Sequence, residues 1–293
     1  MSGWMAIVNP RSGGAFASQS LAALNRLASF FEKTVSTEYP GHATELARGA
    51  MEYEGLASVG GDGTLFEILQ GMDRKRQRVA IIPAGRGNSL ARDLGLYRTP
   101  PSLDIAGHEH SVGIDLLEVR FTKSSGAEEE RVSASTIAIG YPAAVVRAAG
   151  RFARLGRFSY LAAATAARSI PFVGEFSLEN QGTKRKQLRG IVINNTRHMA
   201  NFLAFPEASC SDGFFDVMEL DAGFLGQSLH NCSALSEWRF FKSPPVTRAR
   251  SGQIRLQEPQ LLMIDGELFP DVLLISVRLL PSGLVCHRKG AQG

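Results

Sequence analysis

The stretch ASVGGDGTLFEILQG, residues 57–71, joins an apolar run typical of a β-strand to a run typical of an α-helix. Between the runs lie Gly60, Gly61 and Gly63, with the carboxylate of Asp62 as the only charge among them. Glycine lets the backbone bend sharply or lets a ligand approach closely. Such a turn places free backbone N–H groups at a helix N-terminus, which favours an anion such as phosphate. The stretch therefore predicts either a phosphate-binding turn or a plain tight turn.

The acidic residue Asp62 helps to choose between these two interpretations. A carboxylate inside a phosphate cradle would repel the ligand unless a cation such as Mg²⁺ stood between them. The chain contains neither G-x-x-x-x-G-K-[ST] nor G-x-G-x-x-G, so neither the P-loop nor the dinucleotide fingerprint explains the turn. We therefore interpret the turn as a site for a nucleotide together with a metal ion.

The first hundred residues alternate between strand-like and helix-like runs. The strand-like runs are WMAIVN (4–9), KTVSTEY (33–39), LASVG (56–60) and VAIIP (79–83). The helix-like runs lie at about 18–31, 42–53, 64–72 and 87–95. Such alternation predicts an α/β domain with a parallel sheet and helices on its faces.

From residue 112 onward the pattern changes to strand-like runs separated by turn signals, with helix-like runs near 143–169 and 223–241. We therefore predict a nucleotide-binding α/β domain at 1–111 and a mostly antiparallel β domain at 112–282. The last segment, 283–293, could complete the first domain.

Two more glycine-containing loops follow strand-like runs of the first domain. NPRSGG (9–14) follows the first strand and PAGRGNSLAR (83–92) follows the fourth, and each contains an asparagine that can donate and accept hydrogen bonds. Asn88 also stands where it would cap the next helix. Ligands of open α/β sheets bind outside the carboxyl ends of the strands, where all three loops would converge.

Composition and length are those of a folded protein with a substantial core. The chain has 293 residues, 44% of them hydrophobic and 20% charged, which fits one large or two smaller domains. No apolar run reaches the roughly 20 residues that span a bilayer, and the N-terminus lacks a secretory pattern. The three cysteines, Cys210, Cys232 and Cys286, have no metal-like spacing and fit reduced thiols. We therefore expect a soluble, cytoplasmic protein.

The chain is mildly basic, with a formal net charge of +4. This excess does not by itself imply nucleic acid, and we expect no such partner; it suits an anionic lipid or a nucleotide equally well. Basic residues recur at helical spacing and again in a predicted hairpin tip, at Arg147, Arg151, Arg154, Lys184, Arg185, Lys186 and Arg189. They are either solvated faces or a patch that contacts a membrane.

Six segments in this order resemble the diacylglycerol kinase catalytic family, which includes bacterial lipid kinases and sphingosine and ceramide kinases. They are IVNPRSGG (7–14), GGDGTLFEILQG (60–71), IIPAGRGNSLARDLG (81–95), SLDIAGHEHSVGIDLLEV (102–119), PEASCSDGFFDVMEL (206–220) and MIDGE (263–267). GGDGT alone is shared with NAD kinases, whereas the PxGxxN loop and the late D-G-E triplet narrow the match to lipid kinases.

The resemblance implies an α/β nucleotide-binding domain beside a β-sandwich-like domain, with ATP and Mg²⁺ in the cleft between them. The implied function is phosphorylation of a hydroxyl on a diacylglycerol, a sphingoid or a related membrane lipid, by an enzyme that contacts the membrane surface transiently. The implied nucleotide contacts are Asn9, Pro10, Arg11, Ser12, Gly13, Thr37, Gly60, Gly61, Asp62, Gly63, Thr64, Arg86 and Asn88. Whether the chain forms a homodimer stays open.

The same resemblance implies that the general base lies in the IDGE segment, where Asp265 and Glu267 both match. A carboxylate there would accept the proton of the lipid hydroxyl. At i and i+2 on a strand the two would face the same side, so which one is the base stays open. Asp115 matches a third acidic position of the family, and we count it with Asp62 among the candidate catalytic residues. The alternative is a D-G turn with surface acids.

The segment SDGFFD resembles a structural magnesium loop of some bacterial members. Asp212 would be the side-chain ligand, and the backbones of Ser209 and Phe214 would complete the site. An Asp-Gly pair that only makes a turn is the alternative. The two histidines of GHEHS (107–111) lack zinc-protease spacing and are interpreted as part of a polar loop.

Two residues depart from the bacterial PxGTxND pattern, since Arg86 replaces the threonine and Ser89 replaces the acid. A hydroxyl contact and a metal or proton partner are thereby lost, although Arg86 can reach phosphate. These departures keep open the alternative of a lipid-binding regulatory homologue with impaired catalysis. A kinase for a soluble substrate, as in NAD kinase, is a second alternative.

Overall fold

The computed structural model describes residues 3–13, 22, 24–25, 28–96, 111–151, 159–179, 181–199, 202–203, 205–221 and 245–287. The strands, numbered in chain order, are β1 (Trp4–Val8), β2 (Phe31–Ser36), β3 (Gly55–Gly60), β4 (Arg78–Pro83), β5 (Ser111–Lys123), β6 (Glu128–Ser133), β7 (Thr136–Gly140), β8 (Phe172–Leu178), β9 (Lys184–Asn194), β10 (His198–Met199), β11 (Phe202–Leu203), β12 (Phe215–Asp221), β13 (Val246–Ala249), β14 (Ser251–Ile264) and β15 (Glu267–His287). The helices are α1 (His42–Arg48), α2 (Asp62–Gly71), α3 (Ser89–Asp93), α4 (Tyr141–Ala149) and α5 (Ser159–Ala166), with a 3-10 turn at Ala28–Phe30.

The first four strands form the parallel sheet that the alternating pattern predicted, in the order β2-β1-β3-β4. Every residue of β1 and β3 is buried. Both strands are short runs of apolar or small residues, as expected for a parallel sheet covered on both faces. The carboxyl ends of these strands lie at one edge, which is where the three glycine-containing loops begin.

The remaining strands pair mostly antiparallel, and β15 joins them to the parallel strands. Along its length β15 pairs antiparallel with β14 and with β5. Near its end, Val285 and Cys286 pair in parallel with Arg78 and Val79 of β4. One hydrogen-bonded sheet of thirteen strands results, so the boundary between two domains stays a prediction.

The apolar side chains form two large clusters that share the long strands β5 and β15. The first lies between α1, α2 and the parallel strands and includes Ile7 and Leu56. The second lies among the antiparallel strands and includes Phe121 and Phe215. Because β5 and β15 contribute to both clusters, they connect the sheet that carries the glycine-containing loops to the IDGE turn.

Some predicted helices differ from those observed. The helix predicted at 18–31 extends too far, since Phe31 already begins β2 beside β1. The helix predicted at 42–53 ends at Arg48, where Gly49 terminates it. The run near 143–169 contains two helices, α4 and α5, and the run 223–241 lies outside the described residues.

Two of the three cysteines, Cys210 and Cys286, are buried free thiols, whereas Cys232 lies outside the described residues. Burial raises the pKa of the Cys210 thiol to about 12. Among the helices that the structure describes, none has both the length and the apolar character needed to cross a bilayer.

The contact between α1 and α2 gives a direct test of the packing. A Cβ atom added at Gly71 would lie 2.2 Å from the backbone oxygen of Thr44, whereas one added at Gly49 would lie 3.6 Å from its nearest neighbour. We expect Gly71→Ala to lower the free energy of unfolding by about 1–3 kcal/mol. Gly49→Ala should be neutral or stabilise by up to about 1 kcal/mol. Urea denaturation of both variants checks this, and an equal effect at the two positions would contradict the packing.

Candidate active site

The loops after β3 and β4 touch through their backbones at the carboxyl edge of the sheet. A Cβ atom on Gly85 would lie 2.3 Å from the Cα atom of Gly61. The backbone N–H groups of Ala84 and Gly85 also donate to the Gly60 oxygen, at 2.8 and 3.2 Å. Two of the glycines are therefore needed so that the loops can meet.

The loop after β1 is tied to the same turn by Asn9. Its side-chain Nδ2 donates to the Thr64 hydroxyl at 3.1 Å, and its Oδ1 accepts from the backbone N–H of Arg11 at 2.9 Å. The backbone N–H of Asn9 donates to the Val59 oxygen at 2.9 Å. Asn9 therefore orders its own loop against the first turn of α2. Pro10 and Gly13 of this loop are exposed, and Ser12 is half-buried.

Asn88 organises the third loop, though not as the helix cap that the sequence predicted. It precedes α3 in the left-handed conformation, with φ of 55°, and makes no side-chain capping bond. Its amide instead donates to the Gly85 oxygen at 2.7 Å and accepts from the Gly85 N–H at 3.1 Å. This closes the loop on itself, so that the N–H of Ser89 points at Asp62 and donates to its Oδ1 at 2.8 Å.

Asp62 lies in the first turn of α2, close to a second carboxylate. Burial, and after it the charge of Asp265, raise its pKa, which lies at about 6. The backbone N–H groups of Ser89 and Asn88 and the charge of Arg92 oppose that rise. The carboxylate of Asp265, in the IDGE turn, is thus near enough to affect the ionisation of Asp62 in the GGDGT turn.

Asp265 is a buried carboxylate that accepts hydrogen bonds from residues 133–136. Its Oδ1 accepts from the Ser133 hydroxyl at 2.8 Å and from the backbone N–H groups of Ser135 and Thr136 at 3.1 and 2.7 Å. Its Oδ2 accepts from the Ala134 N–H at 2.8 Å. Burial nevertheless raises the pKa of Asp265. These bonds hold the turn between β14 and β15 in place.

Glu267 begins β15 and is the more accessible of the two IDGE acids. A Cβ atom added at Gly63 would lie 3.3 Å from its Oε1, so the carboxylate lies against the GGDGT turn. Burial, and then the charge of Glu67, raise the pKa of Glu267. Among the described residues it makes no hydrogen bond or ion pair, which leaves this carboxylate available to a ligand.

The expectation that the two acids face the same side of a strand is wrong. Asp265 and Gly266 are the two turn residues between β14 and β15, with φ of 48° and 99°, and Ile264 pairs with Glu267. The Asp-Gly pair thus forms a two-residue hairpin of the type that requires positive φ at both positions. The Asp-Gly turn predicted as the alternative is therefore present, and it also brings Glu267 against the GGDGT turn.

Glu67 is a site residue that the sequence analysis missed. Its carboxylate accepts from the backbone N–H groups of Gly41 and Ala43 at 2.9 and 3.1 Å, and its backbone oxygen accepts from the Thr44 hydroxyl at 2.8 Å. It thereby ties the loop after β2 to α2. In the sequence it resembles a solvated residue on a helix face. Its hydrogen-bond partners are more than twenty residues away in the chain, and no neighbouring motif identifies them.

The loop after β2 also carries Thr37, a predicted nucleotide contact. Its backbone N–H donates to the Val8 oxygen at 2.8 Å, next to Asn9. The half-buried Thr37 thus lies at the carboxyl edge with the other loops. Arg86, in the loop after β4, is exposed, as is Arg11 after β1.

The second half of the protein also contacts α3 directly. Asp93, at the end of α3, accepts from the backbone N–H of Arg197 at 2.5 Å and pairs with Nδ1 of His198. The Asp93 side chain is only 4% exposed. This contact anchors the Asn88 loop to the strands that follow β9.

Asp115 lies in a different environment from the IDGE acids. Its side chain is buried, and its two carboxylate oxygens accept from the backbone N–H groups of Gly213 and Ser282, at 2.7 and 2.8 Å. These contacts give Asp115 a structural role in joining the segment before β12 to β15. Its catalytic role stays a prediction from the resemblance.

The proposed magnesium loop has other partners in this structure. Asp212 pairs with Arg248 and accepts from the Phe214 N–H at 3.1 Å, and the Ser209 hydroxyl lies 3.5 Å from that of Ser211. Among the described residues, no three His, Cys, Asp or Glu side chains cluster as metal ligands. The site stays a prediction, and a metal there would have to displace Arg248. The histidines at 108 and 110 lie outside the described residues.

Comparison with known proteins indicates which family has the sequence features found at this site. The model of the diacylglycerol kinase catalytic domain matches residues 3–119, which contain all three glycine-containing loops. A diacylglycerol kinase of Staphylococcus carnosus (strain TM300) is 26% identical over 291 residues, covering 89% of this chain and 87% of the relative. The chain thus contains, at residues 3–119, a match to the diacylglycerol kinase catalytic domain, and it is similar to named diacylglycerol kinases over most of its length. It is therefore a lipid kinase.

Further relatives agree with this assignment. A diacylglycerol kinase of Staphylococcus saprophyticus subsp. saprophyticus is 29% identical to this kinase over 278 residues, with 89% of the chain and 87% of the relative covered. A crystal structure of a diacylglycerol kinase from Bacillus anthracis str. Sterne matches with a TM-score of 0.76 at 21% identity, covering 99% of this chain and 98% of that one. The kinase and the Bacillus anthracis protein therefore share one fold over almost the full length of both chains.

The raised pKa of Asp62 predicts a stability that depends on pH. Because the pKa rises from 3.8 to about 6 on folding, the folded state binds more protons between these values and loses stability as the pH increases through them. At pH 8 we expect the free energy of unfolding of Asp62→Asn to exceed that of wild type by up to about 3 kcal/mol. The asparagine can keep the hydrogen bond from Ser89. At pH 4 the two should agree. Urea denaturation without divalent cations checks this, and a wild type that is the more stable at pH 8 would contradict it.

Proposed function

We propose that this kinase uses ATP and Mg²⁺ to phosphorylate the hydroxyl of a diacylglycerol, a sphingoid or a related lipid. The observation that carries the proposal is the free carboxylate of Glu267 beside Gly63, at the N-terminus of α2. A phosphate-binding turn and a candidate base, far apart in sequence, thus share one cleft. Phosphoryl transfer requires mainly this kind of positioning together with charge neutralisation.

The phosphates of ATP are assigned to the start of α2. Thr64 and Leu65 already donate their backbone N–H groups to the Gly61 oxygen, at 3.1 and 3.2 Å. The N–H groups of Asp62 and Gly63 precede them in the first turn, where a helix offers no internal acceptor. The ten-residue helix also directs the positive end of its dipole at this point. Arg86 and Arg11 are exposed on the neighbouring loops and can add positive charge.

The acidic groups fit a hard divalent cation. Asp62 and Asp265 come close enough for one charge to raise the pKa of the other group, which is unfavourable without a counter-charge. Carboxylate oxygens are the ligands that Mg²⁺ prefers in kinase sites. We assign Asp62 to hold the metal, which when bound would neutralise charge on the transferring phosphoryl group.

Glu267 is assigned as the general base and Asp265 as a positioning residue. Glu267 is accessible, and its raised pKa makes it a better proton acceptor than an ordinary glutamate. Asp265 has both oxygens occupied by hydrogen bonds from residues 133–136. It therefore holds the turn that presents Glu267. The proposal thereby selects one of the two acids between which the sequence left the choice open.

The alternative of a regulatory homologue without turnover is less well supported. Its basis is the replacement of the family threonine by Arg86 and of the family acid by Ser89. In this structure the Ser89 N–H donates to Asp62, so the position still orients the metal-binding candidate. Asp62, Asp265 and Glu267 all remain at the cleft. A kinase for a soluble substrate is distinguished from a lipid kinase by the acceptor that becomes labelled.

Phosphate transfer tests this proposal. Wild type is incubated with labelled ATP, Mg²⁺ and separate vesicles containing diacylglycerol, ceramide, sphingosine or phosphatidylglycerol, and the products are read by mass. We expect Glu267→Gln to lower kcat by about 10²- to 10⁴-fold with little change in ATP affinity, since the base acts only in the transfer step.

Asp265→Asn is the matched comparison, because it should lower stability as well as activity. It breaks hydrogen bonds to buried donors, which costs about 1–3 kcal/mol. A Glu267→Gln enzyme with wild-type kcat would contradict the assignment of the base. Wild type that labels none of the lipids would contradict the lipid kinase proposal.

We also propose that a basic face formed by α4, α5 and the β8–β9 hairpin contacts an anionic membrane surface. Residues 141–189 contain nine Lys and Arg but only two Glu and no Asp, whereas the other 244 residues contain 23 basic and 26 acidic ones. Tyr141 of α4 donates its hydroxyl to the Ala164 oxygen of α5 at 2.6 Å. After α5 the chain exposes Ile170, an apolar side chain that is 83% accessible.

The basic side chains of this face are available to lipid headgroups. Arg147 and Arg151 are exposed, as are Lys184 and Arg185 on β9. Arg189 donates to the Ser169 oxygen at 2.8 Å and so links β9 to the segment that presents Ile170. Each basic residue near an anionic membrane contributes about 1 kcal/mol to binding. Arg154, the third arginine of the helical series, lies outside the described residues.

Vesicle sedimentation tests the basic face. With vesicles containing phosphatidylglycerol, the double variant Arg147→Glu/Arg151→Glu should bind at least about 10-fold more weakly than wild type, because two attractive charges become repulsive. The control Lys33→Glu/Lys75→Glu makes the same charge change on the parallel-sheet half and should bind more tightly than the first variant. Equal weakening by both variants would contradict a defined face. The measurement requires no catalysis, so its outcome is independent of the assigned base.

A further inference from the structure

Tyr39 and His42 form a stacked pair of rings at the carboxyl edge of the parallel sheet. Their ring centroids are 4.6 Å apart and their planes differ by only 5°. Tyr39 is 47% accessible, one of the few large apolar side chains exposed among the described residues. An aromatic face held parallel to a second ring, with its other side open, is a surface on which a further flat ring can stack.

Both rings are held in place by hydrogen bonds. The Tyr39 hydroxyl donates to Oε2 of Glu45 at 2.6 Å, and this bond raises the pKa of Tyr39, which keeps the phenol neutral. Nδ1 of His42 accepts from the backbone N–H of Glu38 at 3.1 Å. The loop between the rings is fixed in turn by Glu67, which accepts from the Gly41 N–H at 2.9 Å. The platform is therefore rigid before any ligand binds, so little conformational entropy is lost when a ring stacks on it.

The stack lies next to the nucleotide loops. Thr37, two residues before Tyr39, donates its backbone N–H to Val8, beside the Asn9 loop. On the other side, Glu67 lies three residues after Thr64 on α2, and residues at this spacing share a helix face. The stack therefore adjoins the site along its edge, one loop away from the amides assigned to the phosphates.

The charges around the stack decide which part of a nucleotide belongs there. The carboxylates of Glu45 and Glu67 accept hydrogen bonds from this loop, and Glu38, an exposed residue, belongs to the loop itself. Such an acidic rim repels a phosphate chain but not an uncharged heterocycle.

We propose that the exposed face of Tyr39 stacks on the purine ring of the nucleotide and that Tyr39 thereby determines affinity for the base. This inference rests on the proposed use of ATP at the GGDGT turn. His42 is a positioning residue in this arrangement, because it supports the inner face of the Tyr39 ring. The α2 amides hold the phosphates, and the Tyr39 platform holds the other end of the molecule.

Equilibrium binding to the full chain tests the inference with two probes. ATP carries both the base and the phosphates, whereas inorganic tripolyphosphate carries only the phosphates. Tyr39→Ala should weaken ATP binding by between about 5-fold and 100-fold, the range for losing one base–aromatic stack. Tripolyphosphate should bind this variant within about 2-fold of wild type, because the amides of α2 are unchanged.

Two further variants separate stacking from other effects. Tyr39→Phe keeps the ring and loses only the bond to Glu45, so most of the ATP affinity should be restored. Met51→Ala removes an exposed apolar side chain, 38% accessible, from the turn before β3. This turn is at the amino end of β3, whereas the GGDGT turn is at its carboxyl end, so the variant should not change ATP binding.

Wild-type ATP affinity in Tyr39→Ala would overturn the stacking inference and leave nucleotide binding by the kinase intact. Equal weakening of ATP and tripolyphosphate would also overturn it, since the whole loop would then have been disturbed. Wild type that binds neither probe would overturn the proposed function and this inference with it.

Discussion

The candidate site depends on the close approach of the IDGE turn to the start of α2. These segments are about two hundred residues apart in sequence, yet the Glu267 carboxylate lies against Gly63. The distance is fixed because β15, which begins at Glu267, pairs with β5 along its length and with β4 near its end. A single strand therefore ties the candidate base to the sheet that carries the nucleotide loops.

Acidic groups concentrated in one cleft impose a cost on the folded protein. Burial raises the pKa of Asp62, of Asp265 and of Glu267. The ionised form of each carboxyl group is therefore less stable in the folded protein than in water. The proposed metal-binding and proton-accepting roles need such groups together, which accounts for a loss of stability in favour of function. The hydrogen bonds to Asp265 limit this cost by fixing that carboxylate within the hairpin turn.

Much of this arrangement could be predicted from local sequence. Glycine spacing identified the loops, and alternation identified the parallel sheet. The sequence failed where a residue acts through partners that are distant in the chain. Glu67 was missed because its acceptor role depends on Gly41 and Ala43. The choice between Asp265 and Glu267 stayed open in the sequence. Residues 133–136 donate hydrogen bonds to Asp265 and not to Glu267, but no sequence motif marks them as partners of Asp265.

The central claim is that nucleotide phosphates rest on the first turn of α2 with Glu267 facing them. A crystal structure of the kinase with Mg²⁺ and a non-hydrolysable ATP analogue tests it most directly. The account predicts phosphate oxygens within hydrogen-bonding distance of the backbone N–H groups of Asp62 or Gly63, with the Glu267 carboxylate on the side of the terminal phosphate. An analogue bound at another edge of the sheet, or a Glu267 turned away from the terminal phosphate, would contradict it.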